Sequence, residues 1–285
     1  MASSTARAEG RSHPASRFLP GPRPRVIAHR GFALDGAENT LRAFEDALAA
    51  GADMLETDTR ASADGTAYAV HDEDLLRIAG DRRRIARSRD RELAAVRVGG
   101  SEPLALLEDV LGSFPQVPIN LDVKDERAVA PAVTAIARTG AASRVCVTSF
   151  SGTVAERAVH GVRAATGITP LRSPSQGALA AFRALVALGA PTGLVGRVLR
   201  PYAALQIPRE FRGIPLLTPE TIATAHRHGC EVHVWTIDDR TAMEDLVTAG
   251  VDGIITNRTD LLVATLRAHG RDRRREPGHG ARPAT

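Results

Sequence analysis

Short apolar runs alternate with helix-like segments along most of this 285-residue chain. A strand followed by a helix, repeated eight times over about 250 residues, is typical of a (β/α)8 barrel. Because strands and helices alternate, the sheet must be parallel, and its closure explains the absence of polar edge strands. The predicted strands are Val26–His29, Met54–Arg60, Ile119–Lys124, Val145–Phe150, Gly167–Pro170, Ala203–Ile207, Glu231–Thr236 and Gly253–Thr256. An open doubly wound sheet is disfavoured, because the turn at residues 31–34 lacks a glycine-rich phosphate loop.

The predicted helices are Leu41–Ala50, Leu106–Ser113, Arg127–Arg138, Ser151–His160, Ser175–Leu188, Pro219–His228, Thr241–Thr248 and Asp260–Ala268. An extended segment at Ala67–His71 is expected to pair beside the second strand. The long loop Asp72–Pro103 would then lie on the active-site face, as a lid. The predicted fold class is α/β, a (β/α)8 TIM barrel, single domain, with a short insertion after the second strand. It covers residues 25–268, between a disordered segment at 1–24 and a disordered basic tail at 269–285.

The charge distribution argues against nucleic acid as a partner, although the net charge is +4. Residues 1–25 carry a net +4 and residues 270–285 a net +3, which leaves the body of the chain at −3. Nucleic-acid binding requires a basic face that this body does not offer. No apolar run reaches the roughly 20 residues of a membrane span, and no secretory signal precedes the first strand. We expect a cytoplasmic protein with two buried free thiols, Cys146 and Cys230.

Polar side chains gather where the predicted strands end, although a buried parallel strand should be continuously apolar. In a barrel the carboxyl ends of all strands meet at one rim, which carries the catalytic groups. Pairs two residues apart on a strand, such as Glu56 and Asp58, point to the same face. The side chains expected at this rim are His29, Arg30, Glu56, Asp58, His71, Asp122 and Lys124.

Three carboxylates in one pocket repel each other unless a cation neutralises them. Carboxylate oxygens suit Mg²⁺ or Ca²⁺, whereas the cysteine and His-x-x-x-His ligands common at zinc sites are missing beside these acids. Lys124 is the only lysine in a chain with 36 arginines. Its compact ammonium at an inward strand position suits phosphate oxygens. A single Glu-x-Asp pair is more often a solvated strand edge, so the prediction depends on the combination.

Seven motifs occur in order along residues 25–265: Ala28–Gly31, Glu38–Thr40, Glu56–Asp58, His71–Asp72, Asp122–Lys124, Val232–Asp238 and Gly250–Thr256. In this order they resemble the glycerophosphodiester phosphodiesterase family. The resemblance implies a (β/α)8 barrel and metal-dependent hydrolysis of a glycerophosphodiester to sn-glycerol 3-phosphate and an alcohol. In the family the glycerol hydroxyl beside the phosphate attacks first, and water opens the resulting cyclic phosphate.

The resemblance also implies a role for each matching residue. The general acid and the general base would be His29 and His71, in an order left open, and the phosphate would be bound by Arg30 and Lys124. Mg²⁺ or Ca²⁺ would be held by Glu56, Asp58 and Asp122. Glu38 would support the metal or the arginine. Trp235 either packs in the core or stacks on a choline ammonium. Three positions depart from the family pattern: Asp122, where the family more often has Glu, Ala37, where it usually has Pro, and Asn257, where Asp is common.

Two other functions stay open at this stage. One is a lysophospholipase D or sphingomyelinase D-like phospholipase, which would need an apolar ramp that the Arg-rich loop at 72–103 does not offer. The other is a non-catalytic barrel that binds a phosphorylated ligand. The expected partner is a small-molecule glycerophosphodiester, and the oligomeric state is not predicted. His226, His228 and His233 are expected at the surface or at helix ends, with no catalytic role.

Overall fold

The computed structural model describes residues 18–270, so the predictions for residues 1–17 and 271–285 lie outside the described residues. Eight parallel strands form the predicted barrel: β1 (Arg25–His29), β2 (Met54–Ala61), β3 (Ile119–Val123), β4 (Val145–Thr148), β5 (Leu171–Arg172), β6 (Ala204–Ile207), β7 (Glu231–Val234) and β8 (Gly253–Thr256). They pair in the order β5-β4-β3-β2-β1-β8-β7-β6. One backbone hydrogen bond, from Ala203 N–H to the Arg172 carbonyl at 3.0 Å, bridges the seam between β5 and β6. The barrel is therefore nearly closed.

Helices follow the strands and cover the outside of the barrel. They are α1 (Leu41–Ala50), α2 (Leu107–Ser113), α3 (Glu126–Arg138), α4 (Gly152–Thr166), α5 (Gln176–Ala187), α6 (Thr192–Leu199), α7 (Pro219–Arg227), α8 (Arg240–Ala249) and α9 (Thr259–Ala268). Side-chain caps begin several of them, such as Thr40 before α1 and Asp125 before α3, because their oxygens accept otherwise unpaired backbone N–H groups. Within residues 18–270 no helix is long and apolar enough to cross a membrane.

Two local predictions between β4 and β6 were wrong. Residues 167–170, predicted as a strand, instead form the cap and the irregular segment after α4, because Gly167 ends that helix in the left-handed conformation. The strand comes directly afterwards, as the short β5. Helix α6 was not predicted, because Pro191 and two nearby glycines resemble a loop, whereas Pro191 occupies the N-cap position.

Apolar side chains form two layers, one on each face of the barrel sheet. On the outer face, alternate strand residues such as Val26, Leu55 and Leu121 pack against the helices in the main core. On the inner face, Ile27, Met54 and neighbouring small residues fill the lower half of the barrel. The polar residues of the same inward rows lie above them, at the carboxyl ends of the strands.

Residues 18–24 were assigned to a disordered segment, but they pack against the lower end of the barrel. The Phe18 ring is buried and meets the His233 ring edge-on at 5.0 Å. Arg25 forms a two-point ion pair with Glu231, at 2.9 and 3.0 Å, and both side chains are buried, as is His233. An aromatic ring that covers this end of the barrel removes apolar surface from water, which explains the order. The surface location expected for His233 was also wrong.

The insertion after β2 is a folded unit, where the sequence indicated a loop at 72–103. The strand Ala67–Ala69 pairs antiparallel with β2, as predicted for that segment. Two hairpins follow, Asp74–Leu75 with Asp81–Arg84 and Arg97–Val98 with Glu102–Pro103. Nine buried apolar residues form its own small core: Tyr68, Val70, Leu75, Ile78, Ile85, Leu93, Val96, Val98 and Leu104. In the sequence these apolar residues are separated by arginines and acids, so no apolar pattern indicates the core.

Candidate active site

The strand register brings the predicted site residues to one end of the barrel. His29 of β1 lies beside Glu56 of β2, and Asp58 of β2 lies beside Asp122 of β3. Neighbouring strands are about 4.8 Å apart, so each pair of side chains shares one level of the barrel. Glu56 and Asp58 alternate in the inward row, as their spacing predicts. The acids therefore form a compact cluster.

Burial and mutual repulsion set the protonation of these acids. The pKa of Glu56 is raised well above its usual value by burial and by the negative charge of Asp58. Burial also raises the pKa of Asp122. Asp58 behaves differently, because the Lys124 and Arg30 charges outweigh burial and lower its pKa. If all three acids were ionised, their negative charge would exceed the positive charge of Lys124 and Arg30, which, together with burial, is why Glu56 and Asp122 resist ionisation.

The two predicted phosphate-binding residues contact these acids. The Lys124 ammonium lies 2.6 Å from Asp58 Oδ1 and 2.5 Å from Asp122 Oδ2, and these charges raise the pKa of Lys124 against the opposing effect of burial. The Arg30 guanidinium lies 3.0 Å from both Asp58 Oδ2 and Glu38 Oε1. Both cations are therefore held at the edge of the acid cluster.

A divalent cation is compatible with the chemistry of this cluster, although the acids do not form a ready-made site. Among residues 18–270, no group of three or more His, Cys, Asp or Glu side chains is arranged to hold a metal ion. However, the buried Asp122 Oδ1 atom has no hydrogen-bond partner in the described chain, and Glu56 forms no ion pair there. Unsatisfied carboxylate oxygens are the donors that Mg²⁺ and Ca²⁺ prefer. The predicted ligands thus fit a hard cation by donor type.

His29 has a neutral partner that fixes its ring. Its Nδ1 atom lies 2.8 Å from Asn257 Oδ1. The Asn257 amide nitrogen donates to Asp238 at 2.7 Å, so the amide oxygen of Asn257 must be the acceptor for the His29 N–H. This leaves Nε2 of His29 as the free base nitrogen. The pKa of His29 is lowered by burial and by the charge of Arg30, which keeps the ring neutral.

His71 has a charged partner instead. Its Nδ1 atom lies 2.6 Å from Asp72 Oδ1. Arg77 of the insertion donates to Asp72 at 2.7 Å and, through two nitrogens, to Glu38 at 2.7 Å each. Burial opposes these hydrogen bonds at Asp72, but those from His71 and Arg77 outweigh it and lower the pKa of Asp72. The carboxylate beside His71 is therefore fully charged.

Trp235 lies at the rim, directly after β7, and is only partly buried. It meets the Phe150 ring edge-on at 6.2 Å. Phe150 is 53% exposed and its ring centre lies 5.9 Å from the Lys124 ammonium. The two rings form an aromatic wall beside the acid cluster, on the side of β4 and β7.

The turn from β1 to α1 requires an unusual backbone. Gly31 adopts φ +88°, and a Cβ atom at this position would lie 2.7 Å from the backbone of Ala43. Arg30 and Asn39 adopt φ +55° and +57° without being glycine. Such conformations are costly and concentrate at functional sites. Here they position the Arg30 N–H toward Glu56, with which it forms hydrogen bonds.

Sequence reasoning missed the residues that orient the two histidines. Asn257 was noted only as a departure from the family pattern, and Arg77 had no assigned role. Asp72 adjoins His71 in the sequence, which was an available signal. Asn257 follows β8 directly, so its position at the rim could also have been expected. Nothing in the sequence pointed to Arg77, because its contacts depend on the fold of the insertion.

Comparison with known proteins agrees with this geometry. The sequence model of the glycerophosphoryl diester phosphodiesterase family matches residues 29–261. The chain belongs to this family. It is 34% identical over 246 residues to a probable glycerophosphodiester phosphodiesterase 2 of Mycobacterium tuberculosis, covering 86% of this chain and 91% of that protein. It is 26% identical over 262 residues to a glycerophosphodiester phosphodiesterase of Caldanaerobacter subterraneus, with 86% and 98% covered.

Solved structures share the fold. The glycerophosphodiester phosphodiesterase of Thermotoga maritima superposes with a TM-score of 0.62 at 25% identity, covering 84% of this chain and 96% of that chain. The enzyme from Agrobacterium tumefaciens superposes with a TM-score of 0.66 at 24% identity, covering 85% and 99%. The predicted family, the barrel fold and the assignment as an enzyme of this family are confirmed.

Proposed function

We propose that this protein hydrolyses water-soluble glycerophosphodiesters to sn-glycerol 3-phosphate and an alcohol, with a divalent cation and two histidines. The observation that carries the proposal is the pair of oriented imidazoles beside one acid cluster. His29 and His71 both lie within electrostatic reach of Asp58, and each has its Nδ1 atom fixed by a partner. Two such groups are what a reaction with one proton acceptor and one proton donor requires.

The difference between the two partners assigns the roles. A charged carboxylate stabilises an imidazolium better than a neutral amide does. His71, beside Asp72, is therefore assigned as the acid, and His29, beside Asn257, as the base. In the first step, His29 Nε2 takes the proton of the glycerol hydroxyl as this oxygen attacks phosphorus, and His71 protonates the departing alkoxide. In the second step, His71 takes a proton from water, which opens the cyclic phosphate, and His29 returns its proton to the glycerol oxygen.

Charge neutralisation assists both steps. Arg30 and Lys124 supply positive charge for the phosphate oxygens, whose charge grows in the transition state. Glu56, Asp58 and Asp122 would hold Mg²⁺ or Ca²⁺, which supplies further neutralisation and polarises a phosphoryl oxygen when bound. Glu38 orients Arg30 through the 3.0 Å contact and is itself fixed by Arg77. Under this proposal every predicted site residue except Trp235 has a function in one reaction.

Release of sn-glycerol 3-phosphate from glycerophosphocholine tests the proposal. We expect release with Mg²⁺ or Ca²⁺ and none with EDTA. His29→Ala and His71→Ala should each lower kcat about 10²- to 10⁴-fold, the usual contribution of a general acid or base. His160→Ala, on the exposed face of α4, is the matched control and should leave kcat unchanged. Full activity in both site variants would refute the assignment of the histidines.

A lysophospholipid substrate is the second candidate, and the aromatic wall favours it. The exposed Phe150 ring offers apolar contact beside Lys124 that the sequence analysis did not expect. A human lysophospholipase D is 35% identical over 111 residues, which cover 34% of this chain and 35% of that protein. If lysophospholipids are substrates, Phe150→Ala should lower their kcat/KM and leave that of glycerophosphocholine unchanged. Stoichiometric binding of both compounds without turnover would instead indicate a binding protein.

A further inference from the structure

A groove rich in arginines adjoins the acid cluster. It is a cavity of about 370 Å³ between the insertion and the start of α3. We call it the basic groove, and its lining residues are Arg60, Glu73, Arg84, Ala86, Arg87, Lys124, Asp125, Glu126 and Arg127. Lys124 is the one residue that the groove shares with the catalytic cluster. A volume of this size is within the range of small-molecule sites and exceeds what a glycerol moiety alone needs.

The groove has an excess of positive charge, because each of its carboxylates already has an arginine partner. Asp125 pairs with Arg60 at 2.9 Å. Glu73 pairs with Arg84 at 3.4 Å, and Glu126 pairs at 2.5 Å with Arg157, outside the lining. The acids of the groove are therefore neutralised locally.

Two guanidinium groups in the groove remain without a carboxylate. Arg87 and Arg127 form no ion pair within residues 18–270, and Arg127 donates only to the Ala86 carbonyl at 3.3 Å. Both residues are exposed. Guanidinium groups bind phosphate and carboxylate through paired N–H donors. Both groups are therefore available to an anion that enters the groove from solvent.

The groove lies on the side of the leaving alcohol. Arg60, in its wall, donates from Nε to the backbone carbonyl of His71 at 2.8 Å. His71 is the histidine assigned to protonate the departing alkoxide. The groove therefore extends away from the residue at which the alcohol leaves, whereas the aromatic wall lies toward β4 and β7.

We infer that the basic groove binds the alcohol part of the substrate and selects alcohols that carry a second anionic group, a phosphate or a carboxylate. This inference rests on the proposed function and specifies its substrate class. A choline headgroup gains nothing from the groove, because its positive charge faces Arg87 and Arg127. Those two residues are specificity-determining residues and take no part in the proton transfers.

The test compares glycerophosphoinositol 4-phosphate, glycerophosphoinositol and glycerophosphocholine as substrates. We expect the lowest KM for the phosphorylated headgroup. Arg87→Gln and Arg127→Gln should each raise that KM about fivefold, the effect of one unit charge at about 4 Å in water, and leave kcat unchanged. The KM for glycerophosphocholine should stay the same or fall.

The matched control is Arg91→Gln, because Arg91 is an exposed arginine of the insertion that lies outside the groove. High salt should reduce the preference.

Equal KM values for all three substrates, unaffected by either substitution, would overturn the inference and leave the proposed function intact. If no substrate is turned over, calorimetric binding of glycerophosphoinositol 4-phosphate distinguishes the groove proposal from the proposed hydrolase activity. Binding weakened by Arg87→Gln or Arg127→Gln would then support the groove and refute the hydrolase. Absence of both binding and turnover would overturn both.

Discussion

Replacing Glu231 by Gln tests the ion pair that closes the lower end of the barrel. Glu231 is 1% exposed and accepts two hydrogen bonds from Arg25. Burial alone would raise its pKa, but hydrogen bonds from His233 and Arg25 outweigh burial and lower the pKa of Glu231 from 4.5 to about 2. A carboxylate with a depressed pKa stabilises the folded protein above the pKa of the unfolded chain, and this stabilisation is lost as the pH falls toward the folded pKa.

The expected size of the effect follows from this shift. A difference of about 2.5 pKa units corresponds to about 3 kcal/mol in the free energy of unfolding at pH 7. At pH 3, which lies between the two pKa values, this carboxyl is mostly protonated in the unfolded chain but still ionised in the folded chain, so a little under half of the stabilisation should remain. Glu231→Gln should therefore lose about 3 kcal/mol at pH 7 and about 1.5 kcal/mol at pH 3 relative to the unmodified protein.

Urea denaturation at the two pH values measures this loss. Glu45→Gln, at an exposed position on α1, is the control and should change the free energy of unfolding by less than about 0.5 kcal/mol. A loss below 1 kcal/mol at pH 7, or an equal loss at both pH values, would refute the argument from charge. The loss would then have to come from packing around Arg25. Activity at 25 °C should persist in the folded fraction, because Glu231 lies at the end of the barrel away from the site.

Three further predictions concern the site. Asn257→Ala should lower kcat about 10- to 100-fold with little change in KM, because the ring of His29 loses its orienting acceptor. Steady-state kinetics measures this effect, and an unchanged kcat would contradict the orienting role of Asn257. Arg77→Gln should lower kcat as well, since Asp72 loses a positioning donor, and a purely stability-related defect would instead appear as a lower melting temperature alone. Mg²⁺ or Ca²⁺ at 100 times its Kd should stabilise the protein by about 2.7 kcal/mol in thermal denaturation, and Glu56→Gln should remove the shift.

The sequence was sufficient to predict the barrel and to bring the candidate site residues to one end of it, for a physical reason. Buried strands must be apolar, so an acid such as Asp122 inside a strand marks a special position. The spacing of Glu56 and Asp58 then defines the face they share. What could not be predicted depends on contacts between distant segments, such as Asn257 with His29, which are 228 residues apart. The core of the insertion was also missed, because its apolar residues follow no clear period.

The proposed base and metal ligands lie on the barrel, whereas the proposed acid and part of the basic groove lie on the insertion. The proposed base, the amide that orients it and the acid cluster come from the barrel strands and from the residue that follows β8, and backbone pairing on both sides fixes the positions of these strands. His71, Asp72, Arg77 and Arg87 instead belong to the insertion, which has its own apolar core. A change in the insertion can therefore alter the charge of the groove without disturbing the register of β1, β2 and β3. Under this arrangement, substitutions at the groove should alter KM for different headgroups, whereas substitutions on the strands should alter kcat for all of them.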